Sequence, residues 1–501
     1  MNEIKSDEPL IKLEDYTYDQ LYDLLETNLE YYSNVFKTLQ VKDIVTPIVD
    51  FKLWNETFPN AIGLKCNKNI SSIDILFIIN NKNLQSLYLN ECRNLLDKDM
   101  EYLCNNLKKL KTLNIEWCQK LSDNSIDSIC KKLTNLEYLY MKYTDFTSRG
   151  IINVINKLSN LKTLDISCNS IFDNIEKELI NKSIEIINIK DMRYQSILWT
   201  PILRSLNNLE NLKSINLSFN NLTDEDLTML SNKNLVSLNI SNCGKMTNYC
   251  INHICNNFKN LKVLNISNNN ILKNKFIKLI SENLKNLTSL YINNNTNVNF
   301  DSIKYICDNL KNLTELELGK CDKLIDESIK YICDNLKNLT SLNISNCSKL
   351  TDESIKYICD NLKNLTNLNI CSLNCLNDEN ISLISENLKN LICLYMSYNN
   401  LNDKSYLMIS KNLTKIEHLS IANNNISLKS LMILIENLKD LQFLDCSNCK
   451  SIDNLTFIKI CYYCKKLNFL NIGASKINTD NIKQLKETNI LPTYFFNEYS
   501  F

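Results

Sequence analysis

The chain has 501 residues, in which 56 Lys and Arg balance 56 Asp and Glu at a pI near 6.7. That balance excludes the long-range attraction that draws a basic protein to nucleic acid or to an anionic membrane. No apolar run reaches the roughly 18 residues of a spanning helix, and the opening MNEIKSDEPLIKLED has no signal-peptide core, so a chain outside the membrane and inside the cell is expected.

Residues 1–57 carry no repeat. Thr17 is placed to cap a helix whose apolar face would be Tyr18, Leu21, Tyr22, Leu25, Leu29, Tyr32 and Phe36. A second helical segment is expected from Val41 toward Trp54, begun or broken near Pro47. Such a segment suits a small helical cap, because the first unit of a stacked array would otherwise present its apolar edge to water.

From Phe58 onward one unit recurs. Its starts are Phe58, Leu84, Leu110, Leu136, Leu161, Ile184, Leu212, Leu235, Leu261, Leu287, Leu313, Leu339, Leu365, Leu391, Ile416, Leu441 and Leu467, most of them 25 or 26 residues apart. The cleanest copy is LTSLNISNCSKLTDESIKYICDNL, Leu339 to Leu362. Leu342 and Ile344 alternate with Ser341, Asn343 and Ser345, which is the period of a short half-buried strand. Cys347 and Leu350 follow as turn anchors, Asp352 and Glu353 open a helix, and Ile355, Ile358, Cys359 and Leu362 repeat at helical spacing. Ile62-x-Leu64 is the expected core pair of the first unit. An α/β solenoid follows: a curved parallel sheet on the concave side, helices on the convex side, about 17 units over residues 58–480.

One region departs. Ile184 lies 23 residues after Leu161, and Leu212 lies 28 after Ile184, with Trp199 and Pro201 in place of the usual helix opening. A deviant helix is the expectation, a joint or side loop the alternative. The last unit should run through a short helix near Asn481–Glu487. Residues 481–501 then form a cap and aromatic tail, in which Leu491 is a candidate last strand residue and Tyr494, Phe495 and Phe496 a cover.

Of the 21 cysteines, Cys92, Cys118, Cys243, Cys321, Cys347 and Cys449 close the strand motif, and Cys104, Cys130, Cys255, Cys307, Cys333, Cys359 and Cys461 recur along the helices. Fixed repeat positions mark them as small buried hydrophobes of a reducing compartment, cytoplasmic or nuclear. Cys446-x-x-Cys449 followed by Cys461-x-x-Cys464 has the outline of a four-thiolate zinc site, yet every one of these positions is apolar in other units, so no metal is expected. Two histidines, His253 and His418, have no partner spaced for nucleophilic catalysis, and five scattered glycines make no phosphate loop. The reading is of a protein without catalysis or cofactor.

A partner would then meet the outward residues of the strands. Stacked at ~4.8 Å, 17 strands would span on the order of 80 Å. Ser237, Asn239, Ser241, Asn265, Ser267, Ser341, Asn343 and Ser345 make the middle of that face mild. Toward the N-terminal third stand Tyr88, Glu116, Trp117, Tyr138, Tyr140, Lys142 and Tyr143, and toward the other end Tyr395, Tyr398, His418, Phe443 and Phe469. Exposed Tyr and Trp are typical interface anchors, so the first group is the primary candidate for binding a protein partner and the second a further patch.

The strand motif ending in Cys, followed by LTDESIKYICDNLKNLTSLNISNC, resembles the cysteine-containing leucine-rich repeats of the F-box/leucine-rich-repeat proteins and of the ribonuclease-inhibitor-like superfamily, from Phe58 to about Asn481. The segment VTPIVDFKLWNETFPN is similar to the end of an F-box, although no Leu-Pro opening stands near Leu21. The resemblance implies a scaffold, with residues 1–57 as a degenerate F-box that binds a Skp1-type adaptor and the repeats as substrate-recognition subunit of an SCF-type ubiquitin ligase. It also admits an inhibitor or antagonist of a cellular enzyme, and there the neutral face argues against a basic target.

Overall fold

The computed structural model describes residues 44–45, 62–66, 70–169, 179–192, 199–244, 247–269, 273–449, 454–464, 466–473 and 494–496. The chain divides into two compact units, residues 1–187 with 192–197 and residues 188–191 with 198–501. In the first, the strands Ile44–Val45, Gly63–Lys65, Ser86–Tyr88, Thr112–Asn114, Tyr138–Tyr140 and Thr163–Asp165 pair in parallel and in chain order. In the second, an unbroken parallel series runs from Ser214–Asn216 to Tyr494–Phe496. A helix follows most strands in both, as parallel pairing requires of a crossover.

The unit at Leu339–Leu362 shows why. Its strand is only Ser341–Asn343, with Leu342 buried and its two neighbours turned outward. Thr340 N and Ser341 N both donate to Thr314 O, at 2.8 and 3.0 Å, while Ile344 N donates to Asn369 O at 3.0 Å. All of these backbone bonds leave the unit, so the strand exists only between neighbours. Asn346 then adopts φ 56° and turns the chain, and Thr351 caps the helix Asp352–Asn361 by accepting from Glu353 N. Ile355, Ile358 and Cys359 of that helix, with Leu362 after it, close over Leu342 and Ile344; all are buried. Fully burying one such aliphatic side chain contributes roughly 1.5–3 kcal/mol.

The helix starts are tied to one another across units. Asp326, first residue of the helix Asp326–Asn335, accepts from Thr351 N (2.9 Å), Thr351 Oγ1 (2.6 Å) and Ser354 Oγ of the next unit. Asp97 accepts in the same way from Ser122 N (2.8 Å) and from Ser122 Oγ and Ser125 Oγ (2.5 Å each). Partial burial pushes these carboxyls up, but the hydrogen bonds outweigh it and hold both below the ordinary carboxylate value.

The cysteines at the end of the strand motif are buried, and Cys118, Cys243, Cys321, Cys347 and Cys449 each reach a carbonyl of the preceding unit, as in Cys118 Sγ to Leu89 O at 3.2 Å and Cys347 Sγ to Leu318 O at 3.3 Å. Where the position is Asn, as at Asn269 and Asn399, the Nδ2 donates to the same kind of carbonyl, Ile240 O at 2.8 Å and Ile370 O at 2.9 Å. Cys and Asn alternate there because both are small and both donate. Burial pushes the Cys321 thiol up to about 12 and that of Cys449 to about 11, which keeps them protonated and unreactive.

Three expectations change. Ile44–Val45, placed in a helix, is a strand paired with Leu64–Lys65; β-branched residues suit it, and it occupies the open edge of the first repeat strand. The register Leu64 to Leu87 makes Leu64 and Cys66 the first core pair, rather than Ile62 and Leu64, because Ile62 O is spent on Gln85 N and Ser86 N at the strand entrance. At the other end Tyr494–Phe496 is itself a strand, paired with Phe469–Asn471, so the last strand lies beyond Leu491. The expected helices over Thr17–Phe36 and Asn481–Glu487, with Trp54, Phe58, Leu491 and the rest of residues 1–57, lie outside the described residues. The irregular region does carry a deviant helix, Trp199–Leu206: Pro201 sits in its first turn, where no backbone donor is needed, and Trp199 is buried in the core.

Because Asp97 and Asp326 titrate below their unfolded value, the stability they supply is complete above about pH 4 and is lost as pH falls through their folded values. Thermal melting followed from pH 6 down to pH 2.5 should therefore show a steep decline at the acid end. Asp326→Asn keeps an acceptor oxygen but cannot titrate, so its decline should be shallower than that of the wild type.

Candidate protein-binding face

In the first unit the strands Ser86–Tyr88, Thr112–Asn114, Tyr138–Tyr140 and Thr163–Asp165 set one outward row of Tyr88, Asn114, Tyr140 and Asp165 and another of Ser86, Thr112, Tyr138 and Thr163. Tyr138 is 37% exposed, and Tyr88 and Tyr140 are half-buried. The phenols belong to one electrostatic neighbourhood: burial raises the Tyr140 hydroxyl above its usual value, and Tyr88, Tyr138, Asp165 and Glu116 add to it. Glu116 is likewise raised by burial, against an opposing hydrogen bond from Asn114 Nδ2 at 3.3 Å; Asp165 raises it further and Lys142 lowers it.

Trp117 and Tyr143 are not strand residues, as the alternation had suggested. Both occupy the left-handed position of the turn that follows a strand, at φ 61° and 54°. In the second unit the same position is most often Asn, as at Asn242, Asn268, Asn294, Asn346, Asn423 and Asn448, the side-chain-bearing residue that tolerates this conformation well, but Asp191, Phe219, Lys320, Ser372 and Tyr398 take it too. Trp and Tyr there carry strain of order 1 kcal/mol, and what they gain is each other. Their rings stack at 3.7 Å between centroids with 11° between planes. The Arg93 guanidinium carbon sits 5.9 Å from the Trp117 centroid and the Lys142 ammonium 5.4 Å from that of Tyr143, so the stack is flanked by cations. Tyr88 lies two strands from Tyr140, with Asn114 between them. The first group is thus two adjoining features, three phenols on the strands and a cation-flanked stack at their ends.

In the second unit the register aligns Cys393, His418, Phe443 and Phe469 in one outward row. Phe443 stacks on Phe469 at 4.4 Å and on His418 at 5.8 Å, and Tyr395 meets Phe443 edge-on at 6.3 Å. The ring faces are turned on one another, which leaves a ridge of edges. Burial, then Cys393, pushes the Tyr395 hydroxyl up to about 12. Tyr398 stands apart at the left-handed turn position, 59% exposed.

Sequence reasoning missed two features. Phe219 takes the same left-handed position at φ 60°, with Lys190 Nζ 4.7 Å from its ring centroid; counting forward by the repeat period from Trp117 would have found it. And the middle of the face is less mild than its serines and asparagines imply: Tyr291 OH donates to Glu315, and Asn293 Nδ2 to Glu317 Oε2 at 2.6 Å.

His253 is engaged structurally, Nε2 with Leu230 O at 2.8 Å and Nδ1 with Asn257 Nδ2 at 3.1 Å. Among the described residues no group of three or more His, Cys, Asp or Glu is placed to hold a metal ion, and no helix is long and apolar enough to cross a membrane. Cys446, Cys449 and Cys464 lie in the repeat core; the side chain of Cys461 is outside the described residues.

The family described as leucine-rich repeat matches residues 208–231 and 335–359. The fold is a leucine-rich-repeat solenoid. Similar solved structures include an internalin of Listeria monocytogenes, 20% identical over 76% of this chain and 90% of that one, TM-score 0.31. A chain of the yeast Rad7 and Elc1 complex is 14% identical over 92% of each chain, TM-score 0.41. A leucine-rich-repeat protein of Leptospira interrogans is 19% identical over 91% of this chain and all of that one, TM-score 0.33. No curated protein sequence matched.

Tyr143→Ala should uncover one face of Trp117. Red-shifted tryptophan emission and easier acrylamide quenching are expected, with a stability loss of about 1 kcal/mol for the stacked pair. An unchanged spectrum would contradict the stack.

Proposed function

We propose that the protein is a non-enzymatic scaffold that holds a protein partner on the concave, strand-bearing side of its repeats. The observation that supports this most directly is the set formed by Tyr88, Tyr138, Tyr140, Trp117 and Tyr143, with Glu116 and Lys142 beside it. Large aromatics share one face, and two of them stack on each other beside cations. The ridge of His418, Phe443 and Phe469, with Tyr395 and Tyr398, supplies a second contact region of the same kind. Of the 20 cysteines among the described residues, 17 are buried, which suits a reducing compartment, cytoplasmic or nuclear.

Within that reading, the F-box-like segment in residues 1–57 suggests the more specific role of substrate receptor in an SCF-type ubiquitin ligase, with a Skp1-type adaptor on that segment and the substrate on the repeats. Inhibition of a cellular enzyme is the alternative.

Two measurements test this. Tyr138→Ser with Tyr140→Ser should weaken capture of the partner at least tenfold, while circular dichroism and melting stay near wild type; unchanged capture would remove this patch from the interface. For the adaptor, the full chain and a chain lacking residues 1–40, which retains the strand Ile44–Val45, are purified from cells. A Skp1-type adaptor recovered with the full chain alone supports the receptor role, and its absence from both leaves the plain scaffold.

A further inference from the structure

The first repeat helix among the described residues breaks a pattern that later helices keep. Its sequence over Ser72–Ile78 is SIDILFI, apolar at five of seven positions, so it is apolar all round rather than on one face. Ile75 and Ile78 are its buried core residues. Matched to Ile355 and Ile358 of the helix Asp352–Asn361, they put Ile73 and Leu76 where that helix has Glu353 and Lys356. Ile73 is 67% exposed and Leu76 51%. On the next helix, Asp97–Asn106, Tyr102 is 53% exposed at the position of Tyr357. In later helices these two positions meet: Lys278 Nζ lies 5.6 Å from the Tyr305 ring centroid, and Lys330 Nζ 5.7 Å from that of Tyr357. Where those helices set a cation on a phenol, this end of the array places Leu76 opposite Tyr102, with Ile73 one turn before.

The patch has a basic border. The loops that end the first three of these helices hold Lys82, Lys108, Lys109, Lys131 and Lys132, and residues 79–84, 105–110 and 130–136 include no Asp or Glu. The lysines sense one another: partial burial and then Lys132 pull the Lys108 ammonium below its ordinary value. Lys98 and Glu101, both exposed, stand on the helix beside Tyr102 and offset each other. A fitting occupant is therefore apolar on one side and acidic on the other.

The chain carries one. Thr17–Phe36, outside the described residues, repeats Tyr18, Leu21, Tyr22, Leu25, Leu29, Tyr32 and Phe36 at helical spacing. Its charged residues are Asp19, Asp23, Glu26 and Glu30, with no Lys or Arg. It is also tethered close by. The strand Ile44–Val45 pairs with Leu64–Lys65, the strand that precedes the helix Ser72–Ile78. Residues 37–43 span up to about 25 Å when extended, against the ~10–12 Å diameter of a helix with its side chains, so the segment can pass from the sheet to the outer side of that helix. A short tether raises the local concentration of the segment far above that of any free partner.

We infer that residues 17–36 dock as an amphipathic helix on the outer side of the first two repeat helices, over Ile73, Leu76 and Tyr102, with their carboxylates toward the lysines of the helix-end loops. This is more than a cap on the sheet, whose open edge Ile44–Val45 already occupies. It is a contact within the chain, and no residue of it lies on the strand face.

The test uses the full chain with the photoreactive residue p-benzoylphenylalanine in place of Leu76. Irradiation should join it to residues 17–36 of the same chain, as mapped by mass spectrometry of the digested product. Crosslinks that join two chains overturn the proposal in favour of a second copy, and crosslinks that never reach residues 17–36 overturn it outright. Hydrogen exchange gives a second readout. Amides of residues 17–36 should exchange at least tenfold faster in Ile73→Glu/Leu76→Lys than in wild type, while the repeats melt as before, because these substitutions install the ion pair seen between Glu353 and Lys356. Equal exchange in the two proteins, or a wild-type segment that exchanges at unprotected rates, overturns the docking. Should the double variant fail to fold, the crosslink still decides. Failure of either readout leaves the strand-face scaffold untouched, since the Tyr138/Tyr140 variant tests that separately.

Discussion

Everything in this molecule depends on backbone groups that a three-residue strand cannot satisfy alone. Ser341–Asn343 sends its hydrogen bonds to the units on either side and buries Leu342 beneath a helix that starts ten residues later. Neither the strand nor the helix is stable in isolation; each becomes so when the next unit supplies a carbonyl, a buried leucine and, through Asp326, a cap for the following helix. The free energy of folding therefore sits mainly in the joints between units. This explains why the same few residue types recur at the joint while the outward positions vary.

That division also explains what could be read from the chain. Leu342, Ile344, Ile355 and Ile358 are legible because a buried joint tolerates few residue types and repeats them at a fixed spacing. The ends were less legible because an end joint has one neighbour instead of two. Ile44–Val45 and Tyr494–Phe496 add strands where helix or cover was expected, each pairing with the nearest repeat strand. The shifted first core pair has the same origin, since a 23-residue step from Leu64 to Leu87 breaks the 26-residue count at the point where no earlier unit enforces it.

The candidate face was legible as a list of residues but not as a geometry. Tyr138 and Tyr140 were assignable by strand alternation. Trp117 and Tyr143 were grouped with them as strand residues, but alternation ends at Ile115 and Met141 and a left-handed turn takes over. Hydrophobic periodicity carries no information about a backbone φ, and only the recurrence of Asn at that position in other units hints at it. The stack between Trp117 and Tyr143 could not be foreseen either, since it requires adjacent turns to be held in register by the strands before them.

Fixed joints leave selection free to act on the outward positions one unit at a time. A Trp at the left-handed position, a Phe in an outward row, or a glycine where serine is usual each changes the surface while leaving the joint untouched. The cost of such a change is local and small, of order 1 kcal/mol for a bulky residue at positive φ, against a core in which each unit buries several aliphatic side chains. Stability can therefore absorb chemistry anywhere along the array. Trp117 with Tyr143 is the clearest example: the turn's left-handed backbone is common to the units, and only the side chains placed on it differ.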